Sequence, residues 1–165
     1  MNALNRVAAI LALSWPMFVS ASVASTAWVS SSDEGNEHFH HVAHVNSTDG
    51  EALLVVGCHD SREYTPLHLV IHTGEDHEAT TAPPRMRPVT IVSGGKTVTF
   101  SAAFHNNGGK LMIEANEARS RPVGTAINAL QMRTEFIEVT YLQTRLTFPA
   151  ANADKAVRHV VDRCW

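Results

Sequence analysis

Glu51-Ala52-Leu53-Leu54-Val55-Val56-Gly57-Cys58-His59 is the stretch on which the fold turns. It is a β-branched apolar run of the kind that fits a buried strand. Upstream, residues 37–45 alternate after a polar lead at 30–36, and residues 46–50 (Asn-Ser-Thr-Asp-Gly) read as the hairpin loop between the two. Downstream, Pro66 opens Leu67-His68-Leu69-Val70-Ile71-His72, which alternates with period two. Residues 74–88 read as a polar loop. Residues 89–92 and 96–104 flank Gly94-Gly95, a hairpin signal, and residues 105–109 make a second turn leading into a strand over 110–115. Residues 119–124 read as loop or edge, since Pro122 argues against a central strand.

The next segment, residues 126–148, is rich in β-branched side chains. That favours two or three strands, with 135–142 the best of them, but periodicity leaves parts of it open to helix. The tail is helical: Asn152 can cap it, Asp154 suits its first turn and Arg163 its last. Ala156, Val157, Val160, Val161 and Cys164 then share one face. Short strands, tight turns and one terminal helix predict a mainly β domain, an antiparallel sandwich or small barrel with one C-terminal helix.

The 165 residues are 44% hydrophobic and 18% charged, the composition of a globular chain of one domain. A formal charge of -3 lacks the basic footprint of a nucleic-acid binder. The first 24 residues read as a secretory signal peptide: Arg6 charges the n-region, residues 7–19 form the apolar stretch, and cleavage fits after Ala24 or Ala27. The apolar run, broken by Pro16, is short for a membrane span, so no stable anchor is expected after cleavage. Residues 25–165 would then be a single exported β-rich domain, periplasmic or secreted. In that oxidising setting Cys58 and Cys164 permit one intramolecular disulfide, which would pin the terminal helix to the strand over 51–59.

Ten histidines are the unusual feature. On strands, His38, His40 and His44 share a face, with Phe39, His41, Ala43 and Val45 on the other; His68 and His72 flank Val70 in the same way. Imidazoles so placed suit zinc or copper, and His38, His40, His44, His68 and His72 are the candidate ligands. Two other readings stand beside it: a solvated face that happens to use histidine, and a pH-responsive surface. Catalytic signatures are missing. There is no Gly-x-Ser-x-Gly, the Ser-x-x-Lys spacing of Ser93 and Lys96 falls on the Gly94-Gly95 hairpin, and Cys58 and His59 point to opposite strand faces. Glu114 with Glu117, and Glu135 with Glu138, read as solvating surface charge.

Trp28-Val29-Ser30, Leu54-Val55-Val56-Gly57-Cys58, and Ala156-Val157 through Cys164-Trp165 together form a skeleton of about a dozen residues spanning most of the exported length. In this skeleton the chain resembles small periplasmic VasI-type accessory proteins associated with type VI secretion. It departs from them at Pro88-Val89-Thr90-Ile91-Val92, where such proteins carry an arginine and an aspartate, and in its histidine content. The resemblance implies an exported, disulfide-linked accessory domain and carries over no active site. The expected function is therefore a non-catalytic accessory protein binding an envelope or secreted protein through its surface, with no resident cofactor. A histidine-rich periplasmic zinc- or copper-binding protein is the alternative.

Overall fold

The computed structural model describes residues 26–32, 39–59, 66–78 and 84–164. The signal peptide, the Ala24 cleavage point and His38 lie outside the described residues. Among the described residues nine strands run β1 (Val29–Ser32), β2 (His41–Asn46), β3 (Leu53–Cys58), β4 (His68–Asp76), β5 (Arg85–Ser93), β6 (Lys96–Asn107), β7 (Lys110–Asn116), β8 (Phe136–Tyr141) and β9 (Thr144–Pro149). Two helices, α1 (Arg121–Leu130) and α2 (Ala153–Cys164), interrupt and end the series. All strands belong to one antiparallel sheet in the order β1-β2-β3-β4-β7-β6-β5-β8-β9. The sheet is a curled half-barrel, so the expectation of a mainly β antiparallel fold with a C-terminal helix holds.

Hydrogen bonds measure the curl. Tyr141 on β8 donates from its hydroxyl to Glu75 Oε1 on β4 at 2.8 Å. Those strands are four steps apart, about 19 Å in a flat sheet. Near its two ends the sheet is tied in the same way. Trp28 N–H donates to the Ala151 carbonyl and Thr48 N–H to the Thr147 carbonyl, both at 2.9 Å, and Trp28 Nε1 donates to the Pro149 carbonyl at 3.1 Å.

Both helices pack against the inner face, α2 on β1–β3 and α1 on β4–β6. Alternation assigns the inner residues: Ala43 and Val45, Leu54 and Val56, Leu69 and Ile71, Ile113, Val89 and Ile91, Ile137 and Val139, Phe148. From α2 come Ala153, Ala156, Val157 and Val160, with Val161 partly buried against the same core. Asp154 and Arg163 occupy its first and last turns as expected. Asn152 precedes the helix in the left-handed region (φ 63°), its carbonyl accepting from Ala156 N–H. The Cys58–Cys164 bond fastens α2 to the end of β3, with Cα atoms 6.1 Å apart.

Three local expectations are corrected. Residues 121–124, expected as loop or edge, open the helix that runs to Leu130: Pro122 sits in the first turn, where its missing N–H is no loss. Part of the polar lead is β1, an edge strand with little to bury and hence no apolar alternation. The polar loop over 74–88 is shorter than expected, because β4 continues to Asp76 and β5 begins at Arg85. Those strand ends run past the core, so their polarity reflects exposure. Gly74 allows the β4 extension: at φ 76° it sits where the register slips, and a Cβ there would lie 2.5 Å from the Glu51 carbonyl oxygen. Within 126–148, residues 126–130 are helix and β8 and β9 are the strands.

Candidate functional site

The outer face of the sheet divides into two halves. Over β5, β8 and β9 it carries Thr90, Glu138, Thr140, Arg145 and Thr147 in register, with Thr90 Oγ1 2.8 Å from Thr99 Oγ1, and on the same side Val92 and the exposed Met86 and Phe136. Over β2, β3, β4 and β7 it is apolar and imidazole-rich. One row runs Val42, Gly57, His68, Asn116; the next His44, Val55, Val70, Glu114, Ala103; the third Asn46, Leu53, His72, Met112, His105. Val55 and Val70 are 7% and 5% exposed, yet neither belongs to the inner core. They form a separate small apolar cluster on the opposite face.

Phe39 belongs to this cluster, which corrects its expected place beside Ala43 and Val45. Residue 40 is a bend, so strict alternation begins only at His41. Gly57 has no side chain, and the Phe39 ring fills the hollow: a Cβ on Gly57 would lie 2.7 Å from Phe39 Cγ. The ring centroid is 5.0 Å from that of His59 and 5.4 Å from that of His68, and His59 and His68 meet edge to face at 5.4 Å. Phe39, His59, Val70, His72, Asn107, Met112 and Glu114 line a groove of about 330 Å³.

Glu114 is the charged group of that groove. His68 donates from Nδ1 to Glu114 Oε1 at 3.0 Å, and His105 Nε2 lies 3.5 Å from Oε2. The His105 nitrogen is buried and makes no hydrogen bond among the described residues, so the second contact is one of proximity. The His68 hydrogen bond, with help from nearby His105 and Arg119 charge, holds the Glu114 carboxyl below its ordinary range despite partial burial. Burial pushes the His72 imidazole down, keeping it neutral. The groove thus combines an ionised carboxylate, a neutral imidazole, an aromatic ring and an apolar floor. Glu114 is more than the solvating charge expected of it.

The predicted histidines divide. His44, His68 and His72 stand on the outer face as expected, but β3 separates His44 from the other two by two strand spacings, about 10 Å. The backbone N–H of His40 donates to the Cys58 carbonyl at 3.0 Å, and its Nδ1 is buried with no hydrogen bond among the described residues. Among the described residues no three His, Cys, Asp or Glu side chains are grouped to hold a metal ion. His41, on the inner side, joins a different set: its Nδ1 is 2.8 Å from Ser32 Oγ, which is 3.1 Å from His159 Nε2. One hydroxyl between two imidazoles donates to one and accepts from the other, a link between β1, β2 and α2. It lies in the open, away from the groove.

Sequence reasoning missed Phe39, His105, Met112 and Glu114 as members of one site. Period two placed His68 and His72 correctly, but nothing local announces that β7 lies beside β4. No known protein family, no curated protein and no solved structure matches the chain. Among the described residues no helix is long and apolar enough to cross a membrane.

Proposed function

We propose that the protein is an exported, non-catalytic binding protein that docks an envelope or secreted protein on the outer face of β2, β3, β4 and β7. The observation that carries this is the asymmetry of that face. One half sets threonine and charge around single exposed apolar side chains, Phe136 and Met86, whereas the other gathers half-buried Val42, Leu53, Met112 and Phe39, over buried Val55 and Val70, around a groove. A contiguous apolar patch rimmed by polar groups marks an interaction surface. The ionised carboxylate of Glu114 in that groove suits a partner whose apolar contact surface carries positive charge. The Cys58–Cys164 bond supports life in an oxidising compartment, and the VasI-type resemblance supports an accessory role there.

The test expresses the full chain with its own leader and compares two double variants. Val42→Glu with Leu53→Glu alters the apolar half; Thr99→Glu with Thr140→Glu alters the polar half. After chemical cross-linking in cells, the first pair should lose the envelope proteins recovered with the wild type, and the second should keep them. Equal recovery by both variants, or no envelope protein with the wild type, would contradict the docking surface.

A further inference from the structure

We infer that the groove is a pocket for an alkylammonium group: a short aliphatic stem ending in a primary ammonium, carried by a lysine side chain of the docked partner or by a free amine. This rests on the reading of the outer face as a binding surface and adds the chemistry of its central subsite.

Three features select that ligand. First, among the described residues that line the groove, Glu114 is the one whose charge is formal and fixed at neutral pH, because the His68 hydrogen bond holds its carboxyl below the ordinary range. Its Oε1 is committed to His68, while among the described residues Oε2 has only His105 at 3.5 Å, outside hydrogen-bond geometry. A cationic N–H donor would complete that oxygen with a charge-assisted hydrogen bond. Secondly, Val70 and Met112 form an apolar floor, and Phe39 presents a ring beside them. Such a wall takes a methylene stem and adds cation–π attraction to an ammonium near the ring. Thirdly, His72 is held neutral by burial, so it offers a lone pair instead of a competing charge. An anionic ligand would meet Glu114 directly, and a purely apolar one would strip water from that carboxylate without replacing it.

Imidazoles make the occupancy pH-dependent. Among the described residues, the ionisable groups facing Glu114 are His68 and His72 from β4, His105 from β6, His59 beyond β3, and Arg119 after β7; Lys110 pairs with Asp76 at 2.6 Å further along. His44 stands on the same face, one strand beyond Val55. Acidification that protonates His72 places positive charge in the groove with the carboxylate and repels an ammonium guest, so binding should weaken as pH falls.

The test uses the folded, disulfide-bonded protein with ¹³C-labelled Met and Val methyls. n-Butylammonium should shift the Met112 and Val70 methyls at pH 7.5, and its apparent Kd should rise at least tenfold at pH 5.5. n-Butanol, equal in stem but uncharged, should leave them unmoved, and Glu114→Gln should abolish the response. Equal shifts from n-butanol, no shift from n-butylammonium, or unchanged binding in Glu114→Gln would overturn the inference; the two-ligand comparison on the wild type stands even if that variant misfolds. Acetyl-Gly-Lys-Gly-amide set against its norleucine counterpart separates the sources. A lysyl peptide tighter than n-butylammonium assigns the pocket to a partner's side chain, and a weaker one assigns it to a free amine. Failure here leaves the cross-linking comparison of the two sheet halves untouched, so the two readings fall separately.

Discussion

Severing the Cys58–Cys164 bond tests how the terminal helix is held. The two cysteines are 106 residues apart in sequence, so the bond closes a loop over most of the described chain. Chain-entropy arithmetic for a loop of that length gives about 4.8 kcal/mol at 25 °C. Both sites are buried, Cys58 at 1% and Cys164 at 7%, and alanine is the least disruptive replacement. Cys58→Ala/Cys164→Ala should therefore lose about 4–5 kcal/mol in urea unfolding and about 15–20 °C in Tm. Reducing the wild type should give nearly the same loss, because the stabilisation resides in the link. The m-value should rise, since an unlinked chain exposes more surface on unfolding. A loss under 1 kcal/mol, unaffected by reductant, would refute the claim that this bond fastens α2 to β3.

Further perturbations follow from single contacts. Gly57→Ala would drive a Cβ against Phe39 Cγ, so it should expel the ring, cost about 1–3 kcal/mol in urea unfolding and erase the n-butylammonium response. Gly94→Ala should be at least as damaging, because φ is 54° and the new Cβ would lie 2.4 Å from Met132 Cβ; a drop in Tm of several degrees checks it. Tyr141 should ionise well above the ordinary phenol range in absorbance at 295 nm, as burial comes first among the causes and the Glu75 carboxylate second. A phenol raised on folding contributes stability that is whole below its unfolded value near 10 and is lost as pH climbs beyond it, and Tyr141→Phe should flatten that loss. His72 has the opposite sign. Its folded value is depressed, so its contribution is present above the unfolded value near 6.5 and disappears as pH falls; its ring proton titration by NMR should lie below 6.5.

The β3 strand was legible because a buried central strand must be apolar throughout, and residues 53–58 are. Turn chemistry exposed two hairpins: Gly94-Gly95 and Gly108-Gly109 all carry positive φ, which glycine accepts without strain. The apolar stripe of α2 and its cysteine were equally readable. The first helix was not, since Pro122 counts against a strand and for a helix start, and only packing of Val123, Ala126, Ile127 and Leu130 on the inner face decides between them. The site was half visible. Period two put His68, Val70 and His72 on one face, but the His68–Glu114 contact spans 46 residues and depends on β7 inserting beside β4. That insertion is a long-range pairing, written in the shape of the whole sheet. Phe39 was misplaced for a similar reason: a glycine on the neighbouring strand, not its own periodicity, sets where the ring lies.

The most direct test of the account is a photo-cross-linking scan in living cells, with p-benzoyl-phenylalanine placed singly at Val42, Leu53 and Met112 on one half of the outer face and at Thr99, Thr140 and Thr147 on the other. The docking reading predicts adducts to one and the same envelope or secreted protein from the first three positions and none from the last three. Adducts spread evenly over both halves, or confined to the threonine half, would contradict it.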